Sequence, residues 1–124
     1  MGVEEYAIEE EVKSYYEEFK GVFAAQNAGA LTELFDSGIS KPMTLPQIRA
    51  WAEKFFSENK GVDFHVERIE FLGIGLEKAD IRLTYHVTTV GGKGDFGGVE
   101  LDTLVKRGGK WRISAWEKDE PSRR

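Results

Sequence analysis

Residues 101–116 read LDTLVKRGGKWRISAW, and this stretch decides the fold. Gly108 and Gly109 supply the two-residue connection of a tight β-hairpin, whose central positions need a positive φ that glycine adopts without steric cost. The flanking residues alternate, which gives one strand running through Val105 and another over Lys110 to Lys118. Such a loop pairs Lys106 with Trp111, Leu104 with Ile113 and Asp102 with Ala115 on one face. The other face then carries Val105 with Arg112, Thr103 with Ser114 and Leu101 with Trp116. Both faces hold apolar side chains, whereas a sheet with one wet face alternates more cleanly. One face is expected against the chain's own helices. The other is expected to meet a second copy of the chain as an isologous homodimer through Leu101, Thr103, Val105, Ser114 and Trp116. Scattered exposed apolar side chains are the plainer alternative.

Outward from the hairpin the alternation continues towards the N-terminus. Ala79, Ile81, Leu83, Tyr85 and Val87 alternate with polar residues in a long strand. Phe64 and Val66 share one parity while Ile69 and Phe71 fall on the other, so a bulge is expected near Glu67 or Arg68. Before Gly61 the period is helical. Ile8, Val12, Tyr15, Tyr16, Phe19, Val22 and Phe23 give a long amphipathic helix over Glu4 to Ala25. Asn27 caps a short second helix carrying Leu31, Leu34 and Phe35, which Asp36, Ser37 and Gly38 end. Thr44 and Gln47 form a capping box that opens a third helix with Ile48, Trp51, Ala52, Phe55 and Phe56, and Gly61 is expected as its C′ residue. The fold class is therefore α+β, three N-terminal helices packed on the concave face of a strongly curved antiparallel sheet.

Composition bounds the function. The 124 residues are 40% hydrophobic, which is too apolar for disorder, and no stretch is long enough to span a bilayer. One domain over residues 1–120 with a tail at 121–124 is expected, Arg123 and Arg124 reading as a frayed end. Seventeen basic against twenty-two acidic side chains give −5, with Glu4, Glu5, Glu9, Glu10, Glu11, Glu17 and Glu18 crowding the first helix. Nucleic acid is a poor partner for that surface. Met1 to Glu11 is acidic and shows no targeting pattern, so a cytoplasmic location is expected. Cysteine is absent, which removes thiolate chemistry and cysteine metal sites. No cofactor is expected.

Three helices followed by a bent four-stranded meander, with Asn27-Ala28-Gly29 between the first helices, Leu34-Phe35-Asp36 after the second and the hairpin from Asp102 through Ile113, resemble the nuclear transport factor 2-like superfamily. The resemblance covers nearly the whole chain and extends to its ketosteroid isomerase-like and SnoaL-like members. It implies a cone whose helices and concave sheet enclose a pocket, with dimerisation through the convex face. It implies no activity, because that superfamily hosts many.

Within such a cone the pocket set is Tyr15, Phe19, Phe23, Trp51, Phe55, Leu104, Trp111 and Ile113. Pairing carries Asp102 in beside them, where desolvation would raise its pKa and make it a hydrogen-bond donor, as the resemblance to ketosteroid isomerase implies. Asp102 and Tyr85 are the catalytic candidates, although Tyr15 or Tyr16 could also supply a hydroxyl. The isomerase's tyrosine and base positions align with Val22 and with the acid-free Ile39 to Met43, which argues against that activity. A salt-bridged Asp102 beside Lys106 or Arg112 is the alternative for that residue.

Other constellations are weaker. Asp80, Arg82 and Asp102 have the residue types of an epoxide hydrolase triad, but strand parity points Asp80 and Arg82 outward. His65, His86 and Glu67 have metal-ligand chemistry, yet strand histidines more often bond to neighbouring polar groups. Gly91 to Gly94 lacks the following helix that a phosphate loop needs. Two classes remain: a small-molecule pocket protein that binds a small apolar ligand or processes it by acid–base chemistry, and a non-catalytic homodimeric assembly module with a filled cone.

Overall fold

Seven apolar positions at helical spacing form α1, Val3–Ala25, which buries Ile8, Val12, Tyr15, Tyr16, Phe19 and Phe23 along one stripe in the computed structural model. The structure describes residues 2–119, so the expected tail at 121–124, with Arg123 and Arg124, lies outside the described residues. Gln26 ends α1 in the left-handed region at φ 52°, and its side-chain amide donates to the carbonyls of Phe56 and Asn59. That clasp ties the end of α1 to the end of the third helix. The short α2, Ala28–Thr32, is capped by Asn27, whose Oδ1 accepts from the Ala30 amide at 3.0 Å. The expected capping box opens α3, Leu45–Glu58, with Thr44 and Gln47 bonded reciprocally. Among the described residues no helix is long and apolar enough to cross a membrane.

The helix end differs from expectation. α3 stops at Glu58, Asn59 caps it in extended conformation, and Gly61 falls two residues later in the turn to the sheet. Gly61 is needed there for a separate reason. Its φ is 60°, and a Cβ would stand 2.5 Å from Val90 Cγ2.

Four strands follow: β1 Asp63–Ile74, β2 Lys78–Thr88, β3 Phe96–Arg107 and β4 Lys110–Lys118. They pair antiparallel in chain order. The parity break in β1 is a bulge at Glu67, as expected, and a second register shift passes Leu72. Both increase the twist of β1, bringing Phe64, Val66, Ile69, Phe71 and Ile74 onto the concave face. β4 has an exposed edge problem that the chain solves locally, because the segment after α2 pairs with it. The Asp36 amide donates to the Ile113 carbonyl at 2.8 Å, and the Ile113 amide donates to the Leu34 carbonyl at 3.1 Å.

The hairpin holds the main correction. Lys106 faces Trp111 and Leu104 faces Ile113 as the loop dictates, but Thr103 faces Ala115 and Asp102 faces Trp116. Ser114 is an extra residue in β4, a bulge that shifts everything beyond it by one place. Trp116 therefore turns to the concave side and packs on Phe35, with ring centroids 5.4 Å apart. It does not belong to the convex surface on which a partner was expected. Leu101, Thr103, Val105 and Ser114 remain partly exposed, and Ala115 joins Thr103 on the convex side. The core lies between α1 and the concave face, where Val12, Ala52, Ile81 and Leu104 are fully buried. The larger of these, Val12, Ile81 and Leu104, each contribute roughly 1.5–3 kcal/mol over the exposed state.

Candidate functional site: a hollow cone with two facing acids

The concave face alternates with period two along β3, so Glu100, Asp102 and Leu104 all point inward, opposite Leu83, Ile81 and Ala79 of β2. α1 and α3 roof this face without filling it. A cavity of about 350 Å³ remains, lined mostly by aromatic rings.

Of the expected pocket residues, Phe19, Phe23, Trp51, Phe55 and Ile113 line the cavity, as do Asp102 and Tyr85. Three others do not. Leu104 is wholly buried in the packed core beneath α1, one step further along β3. Tyr15 turns aside to donate its hydroxyl to the Leu34 carbonyl at 2.6 Å. Trp111 lies past the end of the cavity, where its Nε1 donates to Glu11 Oε1 at 2.8 Å beneath the N-terminal half of α1. Tyr15 and Trp111 border a separate polar groove between α1 and the hairpin tip, with Glu11 also bonded to Lys106. That pair of donors holds the Glu11 carboxyl below its ordinary value, Lys106 contributing most.

Trp51, Phe55 and Phe96 form an aromatic cluster in the lining, with Trp51 and Phe96 partly open to solvent. Trp51 stacks on Phe55 at 4.9 Å, and Phe96 meets both edge-on. Gly97 positions Phe96, because a Cβ at residue 97 would stand 2.6 Å from the Tyr85 carbonyl oxygen and 2.7 Å from His86 Cα. Only glycine lets β3 approach β2 so closely at this point.

Asp102 is 1% exposed. Its Oδ2 accepts a hydrogen bond of 2.6 Å from the Tyr16 hydroxyl. Its Oδ1 is buried and finds no donor among the described N–H and hydroxyl groups. What faces Asp102 on that strand is a second acid, Glu100, with Tyr85 beside it. Burial pushes the Asp102 carboxyl up from its ordinary value, and interactions with Glu100 and Tyr16 oppose the rise. Burial also pushes Glu100 well up, the adjoining Asp102 adds to this, and Tyr85 and Lys118 work against it. Two carboxyl groups facing each other inside an apolar cavity disfavour double ionisation, since two negative charges repel strongly in low dielectric. Tyr15, Tyr16 and Tyr85 are all pushed up by burial, with Asp102 adding at Tyr15 and Tyr16 and Glu100 at Tyr85, so their hydroxyls stay protonated donors.

Tyr85, expected as the partner of Asp102, thus serves Glu100, and Tyr16 takes the place beside Asp102. Glu100 escaped the sequence reading, although one signal was available: it sits two residues before Asp102 and so shares its face. Lys118 escaped with it. The Ser114 bulge makes Lys118 the cross-strand partner of Glu100, at the exposed end of β4. Phe35, Phe64 and Trp116 also line the cavity.

The remaining constellations lie on the convex face. Arg82 pairs with Glu70 and with Asp119, which removes it from any triad with Asp102. His65 and His86 stack with centroids 4.4 Å apart, His65 approaching Asp63 and Thr88 and His86 approaching Glu67. No group of three or more metal-ligating side chains converges among the described residues. The Gly91–Gly94 stretch is a turn between strands, in which Asp95 Oδ1 accepts from the Thr89 amide and hydroxyl.

No protein-family model matches the sequence, and no curated protein is significantly similar to it. Solved structures are similar in shape. A protein from Novosphingobium aromaticivorans, provisionally assigned as a scytalone dehydratase, superimposes with a TM-score of 0.81 at 15% identity, covering 94% of this chain and 86% of that one. A Nostoc punctiforme protein of unknown function with a cystatin-like fold gives 0.71 at 13% identity, covering 92% of each. The fold is a cystatin-like cone. A Mycobacterium tuberculosis protein of unknown function shares the cone at a TM-score of 0.79 and 17% identity, over 97% of this chain and 77% of that one. At such identities the likeness carries the cone alone, and the residues inside it must carry the function.

Proposed function

We propose that this protein is a small-molecule pocket protein of the nuclear transport factor 2-like superfamily, taking a small, largely apolar ligand into the cone and exchanging a proton with it through the Asp102 and Glu100 carboxyls. The observation that carries this reading is a buried acid, Asp102, with one oxygen that no N–H or hydroxyl group serves, beside an aromatic-walled cavity of about 350 Å³. A structural carboxylate would be expected to have both oxygens paired, because an unpaired buried polar atom costs about 1–3 kcal/mol. The provisional scytalone dehydratase assignment of one protein with this fold is in keeping with small-molecule chemistry in such a cone.

Tyr16 fixes Asp102 and keeps that carboxyl the better acceptor, while Glu100 carries the mobile proton. A ligand seated against Trp51, Phe55 and Trp116 would exclude water and strengthen any hydrogen bond it makes to the pair. The test is a fragment titration with apolar ketones and phenols followed by amide and tryptophan-indole chemical shifts. Perturbations should gather on Trp51, Phe55, Phe96 and Trp116 and weaken in Asp102→Leu. Perturbations confined to the convex face, or none, would remove the pocket reading and favour the assembly module.

A further inference from the structure

The donors and acceptors inside the cone do not balance. Asp102 Oδ1 is a buried acceptor that no N–H or hydroxyl group serves, and Tyr16 already gives its proton to Oδ2. Tyr85 faces Glu100. Lys118 is the one basic side chain among the described residues lining the cavity, and it stands at the exposed strand end. Ten of the lining residues are aromatic: Tyr16, Phe19, Phe23, Phe35, Trp51, Phe55, Phe64, Tyr85, Phe96 and Trp116. Aromatic faces carry negative quadrupole potential, and a carboxyl pair sharing one proton carries a net negative charge. The acid pair and the aromatic faces favour a ligand that brings N–H donors and positive charge, while Leu31, Met43, Ile48, Leu83 and Ile113 favour an apolar body.

We propose that the cone selects a small aryl-substituted amine, bound as its cation, with the ammonium group donating to the Asp102 and Glu100 carboxyls and the aryl body lying against the aromatic wall. The inference rests on the pocket reading above and narrows its ligand. A ketone of the same skeleton offers only an acceptor, and it must compete with Asp102 for the one proton the pair holds. An alcohol brings one donor without charge. An ammonium group brings three donors and neutralises the pair, and charge-assisted hydrogen bonds are roughly twice as strong as neutral ones.

The test uses three compounds on one carbon frame, 4-phenylbutan-2-amine, 4-phenylbutan-2-ol and 4-phenylbutan-2-one, titrated calorimetrically into the full chain at pH 7, where an alkylamine is a cation. The amine is expected to bind about tenfold or more tightly than either neutral analogue. Glu100→Gln and Asp102→Asn should each bring the amine down to the level of the alcohol, costing the amine about tenfold more than they cost the ketone. Glu100 is only partly buried, so its Gln variant tests the claim even where a change at Asp102 impairs folding. Equal binding of all three compounds, or amine binding insensitive to Glu100→Gln, would overturn the amine preference and leave the pocket reading standing. Absence of binding by all three would overturn both.

Discussion

The Tyr16 hydroxyl donates to Asp102 Oδ2 across 2.6 Å, joining the middle of α1 to the middle of β3 over a sequence separation of 86 residues. This contact pins the roof of the cone to its acid. Tyr16 is 1% exposed, so neither group has water as a substitute partner. Tyr16→Phe is expected to destabilise the chain by about 1–3 kcal/mol, because it strips the hydroxyl donor from a buried carboxyl. The same change should raise the Asp102 titration further, since the Tyr16 hydrogen bond lowers it. Chemical denaturation and a carboxyl titration of the variant check the two effects separately.

A pH dependence with a definite sign follows from the acid pair. Both carboxyls are raised in the folded state, chiefly by burial, while in the unfolded chain they return to ordinary values near about 4. Groups raised on folding contribute their full stability below the unfolded value, and the contribution is lost as pH rises through the folded value. Melting temperature should therefore fall across that window on raising the pH, and Asp102→Asn should flatten the fall. A variant whose melting temperature follows wild type in parallel from pH 4 to 9 would show that Asp102 does not titrate as a buried acid.

The Ser114 bulge separates two faces that tryptophan substitution can distinguish. Trp116 lines the cavity, so its fluorescence should respond to any cone ligand, and Trp116→Ala should alter ligand affinity and leave association unchanged. We propose that a second copy covers the convex face around Leu101, Thr103, Val105 and Ala115, and Ala115→Glu should weaken that homodimer by placing a charge in the contact. Sedimentation velocity on both variants tests the assignment. A monomeric wild type, or dissociation caused by Trp116→Ala, would contradict it.

Gly97 tests how the mouth of the cone is built. Gly97→Ala would force Cβ against the Tyr85 carbonyl and His86 Cα, neither of which can move without breaking the β2–β3 ladder. A loss of about 1–3 kcal/mol is expected, of the size seen when packed positions are overfilled. Displacement of Phe96 should accompany it as a change in the near-ultraviolet circular dichroism.

Much of this architecture is legible in the sequence because periodicity reports it locally. The buried stripe of α1, the Thr44 and Gln47 capping box and the Glu67 bulge each leave a signature within a few residues. The Ser114 bulge leaves none. Ser114 and Ala115 are both small, so shifted and unshifted registers fit either face equally well, and Trp116 could be assigned only by what it packs against. Glu100 was hidden by a related ambiguity, since Val99, Leu101 and Val105 make the convex parity of β3 the more apolar one. Tyr16 reads as core by its spacing, and it is core. Its second role depends on a partner brought in from β3 by tertiary packing, which no local pattern encodes.

Two acids share one buried cavity, and a carboxyl-carbon NMR titration of Asp102 and Glu100 tests their coupling most directly. The expected result is a pair of coupled transitions displaced upward from ordinary Asp and Glu, with each acid's titration altered when the other is replaced by its amide. Independent transitions at ordinary carboxylate values, unchanged in Glu100→Gln and Asp102→Asn, would contradict it.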